Sequence, residues 1–225
     1  MSKYIIHACP ERLWYVEEYL VPSMKEQGIE DVTVYCDNQH IGCLDYCMEI
    51  FMLMPLDGGA WHLQDDVIIS RDFRQRTEEL TADIEQDEII CGYSYFEDEN
   101  AGNTGLVNVE NMWWSFPCIY IPNRYARKCA KWYFTEAKDA FKYRKWVKHK
   151  KFDDAIFREY MVLHYPNKKV TNLVPNLVDH VDFLIGGSII NTQRTAEQTR
   201  AKYFEDTDLV EELRRKLKNE SSEFG

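Results

Sequence analysis

The sequence lacks several features, and each absence removes a class of function. No apolar run approaches the roughly 20 residues that a membrane-spanning helix needs, so a helical membrane protein is not expected. There is no G-x-x-x-x-G-K-[ST] loop and no G-x-G-x-x-G fingerprint, which removes the two commonest glycine-rich phosphate cradles. The seven cysteines (9, 36, 43, 47, 91, 118 and 129) form no C-x-x-C pair, and an odd, unpaired set argues against a disulfide framework. No Ser/His/Asp or Cys/His nucleophile set is suggested, and no repeat or low-complexity tract occurs. Basic residues are short: 27 Lys+Arg against 38 Asp+Glu give a net charge of −11, which opposes generic binding to nucleic acid. The opening MSKYIIHACPER has a single early Lys and an apolar patch broken by His7 and Pro10. It does not read as a signal peptide, and a cytoplasmic location is expected.

What is present suits one sizeable core. The chain has 225 residues, 45% hydrophobic and 29% charged, and a single domain spanning 1–225 is expected. Cys36, His40, Cys43 and Cys47 fit no common zinc module. Cys43 and Cys47 lie four apart on one amphipathic helix, so buried thiols are expected. Charge is unevenly spread. Residues 124–151 hold 11 Lys+Arg against 2 acids, a local +9, which leaves −20 for the rest. This basic segment reads as a solvated helix face or as a dock for an anionic acceptor.

Read in order, the chain alternates strands and helices. Tyr4 to Ala8 is a first strand. Pro10 suits a first helical position, and Leu13, Trp14, Leu20, Val21 and Met24 form a helical stripe ending at Gly28, with Pro22 expected to kink it. A second strand runs from Asp31 to Asp37, a helix from Cys43 to Met54, and a central strand from Ala60 into Gln64. A helix is expected over 72–83, a strand over 88–93, a polar loop over 96–110, a strand over 115–122, and a second acidic-started helix from Phe152 to Met161. Residues 172–191 read as irregular, followed by helices over 195–203 and 208–218. This alternation predicts an α/β fold with a mostly parallel sheet and right-handed crossovers.

The chemistry concentrates in a few acids and one imidazole. Asp65 and Asp66 follow the central strand, where ligands collect in open α/β sheets. On an extended backbone adjacent side chains point to opposite faces, so one carboxylate would reach a cation and the other the bound group. Oxygen ligands of this kind suit Mg or Mn. Asp153 and Asp154 open a helix, as general base or simply as N-cap and first-turn acid. His180, in PNLVDH, reads as a metal ligand or as a buried hydrogen-bonded histidine. His7 is a strand-end residue, Gly187 and Ser188 belong to a short turn that could approach phosphate, and Trp113, Trp114 and Trp132 could stack on a base or sugar or fill the core.

In that order of elements, the sequence resembles the GT-A-fold nucleotide-sugar glycosyltransferases over roughly residues 3–203. LQDDV looks like the family's DxD motif in its LEDDV form, with Gln64 where the family has an acid. FDDAIF resembles the helix start that supplies a base, and PNLVDH the late segment carrying a ligating His. The resemblance implies a Rossmann-type three-layer sandwich with C-terminal helices. Residues 1–95 would form a nucleotide-sugar-binding half, 96–191 an acceptor-binding half, and 192–225 a helical tail. It implies Mn or Mg on Asp66 and His180. Donor contacts, to a UDP-sugar above all, would come from His7, Arg12, Asp37, Asp65, Gly187, Ser188 and Arg194 (or Lys202). Asp154 is the expected base, with Asp153 capping. The acceptor is expected to be a surface glycan or lipopolysaccharide. The alternatives are a hydroxylated base in DNA, docked on the basic 124–151 segment, or a non-catalytic nucleotide-sugar-binding protein.

Overall fold

The computed structural model describes residues 3–82, 87–94, 104–108, 116–140, 153–187 and 200–223. Strand β1 (Tyr4–Ala8) leads into a helical run made of a 3-10 turn (Pro10–Arg12), α1 (Leu13–Tyr15), a π-helical stretch (Val16–Leu20) and α2 (Val21–Glu26). Pro22 does not break this run. A proline has no N–H and its ring crowds the carbonyl four residues back, and the wider π turn just before it provides the room. Next come β2 (Val32–Cys36), α3 (Cys43–Leu53), β3 (Gly59–Gln64), β4 (Val67–Ile69), α4 (Phe73–Ala82), β5 (Ile90–Cys91) and β6 (Gly105–Asn108). They are followed by β7 (Cys118–Pro122), α5 (Asn123–Trp132), a π segment (Tyr133–Ala137), α6 (Lys138–Ala140), α7 (Asp153–His164), β8 (Lys169–Asn172), β9 (Val178–His180), a 3-10 turn (Asp182–Leu184) and α8 (Thr207–Glu223).

The main sheet has seven strands in the order β2-β1-β3-β7-β5-β8-β6. β1 runs parallel to β2 and β3, and β8 parallel to β5, whereas β7 and β6 oppose their neighbours. Five of the seven strands therefore share one direction, the mostly parallel α/β sheet expected. Alternation along each strand feeds two cores. Ile5, Ala60, Ile119 and Ile121 pack with α3, α5 and α7 on one side. Tyr4, Ile6, Trp61 and Leu63 pack with the first helical run, Phe73 of α4 and Val210 and Leu213 of α8 on the other. The result is three layers, with helix α8 as the C-terminal cover. No helix among the described residues is long and apolar enough to cross a membrane.

Several expected elements differ. Residues 105–108, assigned to a polar loop, form the edge strand β6. The strand expected over 88–93 is short, Ile90–Cys91 alone, and at Gly92 the chain passes so close to its neighbours that an added Cβ would lie 2.9 Å from Cys118 Sγ and Leu177 Cδ1. Residues 172–191 are not wholly irregular: they hold the end of β8, all of β9 and a 3-10 turn. Strand β8 was not anticipated at all, since KVTN carries only one buried side chain. Residues 200–203 lie outside any helix, and the rest of the helix expected over 195–203 falls outside the described residues. All seven cysteines are free, and four of them (47, 91, 118 and 129) are buried.

Candidate functional site

The carboxyl ends of β1, β2 and β3 lie side by side because those strands are parallel and in register. Cys9, Asp37 and the Asp65–Asp66 turn are therefore delivered to one edge of the sheet. Asp65 and Asp66 stand in a two-residue turn between β3 and β4, not on extended backbone, and that changes their geometry. Instead of facing opposite ways, both carboxylates converge on Arg12. Its Nη1 donates to Asp65 Oδ1 at 3.1 Å and to Asp66 Oδ2, while Nη2 donates to the carbonyl of Gly187 at 2.7 Å. The Cys9 amide completes Asp65, donating to Oδ2 at 2.7 Å. Arg12, Asp65 and Asp66 are 6%, 6% and 5% exposed.

His180 reaches this cluster through the smallest sheet in the molecule. β4 and β9 form a two-stranded antiparallel ribbon in which Val67 pairs with His180, and the Val181 amide donates to the Asp66 carbonyl at 2.8 Å. His180 Nε2 lies 3.1 Å from Asp66 Oδ2, and its Nδ1 lies 3.1 Å from Asp182 Oδ1. Burial opposes charge on the imidazole, but Asp66 and Asp182 outweigh it and raise His180 to about 10. Burial likewise opposes the Asp66 carboxylate, yet His180 and Arg12 hold it below its ordinary range. Asp65 is raised, by burial first and by the charge of Asp66 second, with Arg12 offsetting part of this.

The Mn or Mg implied by the resemblance can be tested against these donors. Among the described residues, no three His, Cys, Asp or Glu side chains gather into a ready-made cage. Two donors do converge. Asp66 Oδ1 is buried and has no hydrogen-bond partner, and His180 presents Nε2 beside the other oxygen of the same carboxylate. Asp182 backs the far nitrogen of His180, the outer-shell support that metal-bound histidines usually have. A carboxylate and a backed imidazole suit a cation that takes the rest of its shell from water and substrate phosphates. The pair fits such an ion once the imidazole is neutral; the guanidinium of Arg12 and the proton that Asp66 and Asp182 hold on His180 are what stand against it.

The other expected site residues fall in three places. Asp37 ends β2 as expected, but its two oxygens accept the Ile41 and Gly42 amides at 3.0 and 2.8 Å, which fixes the turn into α3. His7 turns away from the acids: its Nε2 lies 2.9 Å from His62 Nδ1, and burial lowers it to about 4. Asp153 is buried at the start of α7, against the thiols of Cys43 and Cys47, and its carboxylate accepts the Asp154 amide at 2.9 Å. Burial raises Asp153 to about 6. Asp154 is half-buried one step further on, and its Oδ1 accepts the Ala155 amide at 2.6 Å.

Gly186 and Gly187 take φ of +111° and +83°, a conformation that other residues rarely adopt, and the second of them hands its carbonyl to Arg12. Ser188, Arg194, Trp113 and Trp114 lie outside the described residues, as do 141–152 of the basic segment. Within the described part, Arg124 pairs with Asp87, Arg127 donates to the Met54 carbonyl at 2.8 Å, and Lys138 lies 2.9 Å from Asp45. Trp132 packs against Tyr160 and His164. Lys202 holds its backbone amide to Ser94 at 3.1 Å.

The backbone groups of Cys9 and Gly187 carry no signal that sequence reasoning could use. Neither does Arg200, which reaches back 21 residues to the wholly buried Asp179.

No family model and no curated protein matches the chain. Solved structures resemble it in outline. A putative glucose-1-phosphate thymidylyltransferase from Bacillus anthracis, in complex with a sucrose, is 11% identical over 79% of this chain and 89% of its own, with a TM-score of 0.44. A galactosyltransferase, LgtC, in complex with donor and acceptor sugar analogs, is 10% identical over 95% of each chain, also with a TM-score of 0.44. At these values neither assigns a residue or a reaction.

Proposed function

We propose that the chain is a glycosyltransferase that moves a sugar from a nucleotide-diphosphate sugar, a UDP-sugar first among candidates, to an acceptor hydroxyl. One observation carries this reading: Asp66 and His180, brought together from distant segments, sit buried at the carboxyl ends of three parallel strands beside a guanidinium. Ligands collect at such an edge, and a buried acid–imidazole–guanidinium set is costly unless a bound group uses it.

In this reading Asp66 and His180 would hold Mn or Mg, which when bound supplies Lewis-acid neutralisation of the leaving diphosphate. Asp65 orients the ribose or donor sugar. The Gly187 turn, with Ser188 and Arg194, borders the phosphates. Asp154, half-buried at a helix start, takes the proton of the acceptor hydroxyl. The oxygen then bonds to the anomeric carbon while the bond from that carbon to the diphosphate breaks, its electron pair leaving with the diphosphate, and configuration inverts.

A glycan acceptor is favoured over a base in DNA, because three of the five described cations of the basic segment, Arg124, Lys138 and Arg127, are engaged with Asp87, Asp45 and the Met54 carbonyl. If DNA were the acceptor, its binding would weaken steeply with added salt.

The test is metal-dependent hydrolysis and thermal shift across UDP-, GDP- and CMP-sugars. Nucleotide release by the wild type, lost in a folded Asp66→Ala variant, supports the reading. If no donor is hydrolysed and none raises the melting temperature with Mn present, the reading is wrong.

A further inference from the structure

Arg12 ties together three parts of the chain: the first helical turn, the Asp65–Asp66 turn and the Gly186–Gly187 turn. Its charge lies on the oxygens that a divalent cation would need. Yet the arrangement is incomplete on both sides. Asp66 Oδ1 and Arg12 Nε are each buried without a hydrogen-bond partner. A guanidinium that served only to neutralise two carboxylates would be expected to saturate them, since an unmet buried donor or acceptor is costly.

The local charge also makes the arrangement unsuited to its proposed ligand. With Arg12 on the acids, its guanidinium is spent on Asp65 and Asp66 and is not offered to a diphosphate. Removing Arg12 from the carboxylates reverses this on both sides: it frees the acids for a cation and a guanidinium for a phosphate.

We propose that Arg12 is an exchangeable counter-ion: it closes the Asp65–Asp66 pair in the free protein and is released to the donor diphosphate when a divalent cation takes Asp66. This rests on the glycosyl-transfer reading above and adds to it a positioning residue and an order of loading. Cation and diphosphate bind cooperatively, because each occupies one end of a bond that must first be broken. Such coupling is reciprocal: each ligand strengthens the other by the same factor. Releasing Arg12 also frees the Gly187 carbonyl, so the Gly186–Gly187 turn is untied in the same step. The glycines suit this, as a Cβ at either would meet nothing within 4 Å.

The experiment measures Mn binding by electron paramagnetic resonance and UDP binding by calorimetry, each with and without the other ligand. It uses the full-length wild type, Arg12→Met and Arg12→Lys. In the wild type, each ligand strengthens the other by roughly tenfold or more. In Arg12→Met, Mn alone binds roughly tenfold tighter or more, because a positive charge within hydrogen-bond distance of the acids is gone. UDP binds more weakly in that variant, and the mutual enhancement disappears. Arg12→Lys, a point charge without the two-pronged reach, falls between, and it serves alone if the methionine variant does not fold.

Equal Mn affinity in the wild type and a folded variant, or wild-type ligands that bind independently, overturns the counter-ion role and leaves the metal site standing. Failure of Mn to bind either the wild type or a folded variant overturns the metal site itself, and the proposal with it.

Discussion

Two arginine–aspartate pairs are built into adjacent stretches of this molecule, and they are completed to different degrees. Asp179, wholly buried, accepts Arg200 Nε at 2.9 Å and Nη2 at 2.6 Å, the Ala201 amide at 2.6 Å and the His180 amide at 2.8 Å. Arg200 in turn lies over the ring of Phe183, 5.9 Å from its centroid. Both oxygens are used, and the pair joins the ribbon to the chain leading into α8. One residue along, His180 faces the second set, where Asp66 Oδ1 and Arg12 Nε are left over. Most buried polar groups in a folded protein are met, and the exceptions here include atoms away from the acids, such as Trp61 Nε1 and Asn123 Oδ1. It is as an ion pair left open at both partners that the second set reads as a place reserved for something else, and the saturated pair as architecture.

The strongest way to break this contrast is to remove one acid from each. Asp179→Ala leaves Arg200 and two amides without their acceptor, and unfolding by denaturant should show a loss of about 3–5 kcal/mol. Asp66→Ala should cost less stability, because Arg12 keeps Asp65, while nucleotide release from the preferred donor falls by roughly a hundredfold or more. If the two variants lose stability alike and Asp66→Ala keeps its turnover, saturation does not separate the two roles.

A second probe concerns the His7–His62 pair, buried polar groups of a third kind. Burial lowers both rings, His7 to about 4, so the folded protein carries them neutral while the unfolded chain takes up protons near pH 6.5. Their contribution is intact above about 6.5 and lost as pH falls toward 4. For His7 alone this amounts to about 2 kcal/mol at pH 5. Denaturant midpoints should fall accordingly between pH 7 and 5, and His7→Gln should flatten the slope.

An effect of similar size and opposite pH sense is expected at Asp153, raised by burial to about 6. A raised acid stabilises the fold while protonated, and that contribution is lost as pH rises from about 4 through 6. Asp153→Asn, which keeps an acceptor for the Asp154 amide, should therefore raise stability at pH 8 by about 1–3 kcal/mol and make little difference below pH 4. Melting curves at the two pH values decide it.

Much of the sheet was legible because short apolar or β-rich runs and helices with a 3.6-residue stripe announce themselves. Tyr4–Ala8 and Gly59–Gln64 are apolar runs with most residues buried, and Val32–Cys36 is rich in β-formers. The strands that escaped, Gly105–Asn108 and Lys169–Asn172, are four residues each and pair with each other at the edge of the sheet, too short for a pattern to stand out. Within the site, the nearness of Asp66 and His180 followed from the order of motifs. Their convergence on one guanidinium did not, because it depends on a turn where extended backbone was assumed. No spacing in a sequence reveals that Arg12 reaches across to Gly187, 175 residues on.

The ribbon of β4 and β9, only three residues on each side, has one more consequence. It alone sets which side chain faces Asp66, and in a β pair a slip of one residue exchanges the two faces. His180 is thus placed by a pairing of three residues, while the broad seven-stranded sheet takes no part in choosing it. Fraying of these few hydrogen bonds would part imidazole from carboxylate and loosen Val67, Ile69 and Val178 of the second core, while the first core, which has no member in the ribbon, stays packed.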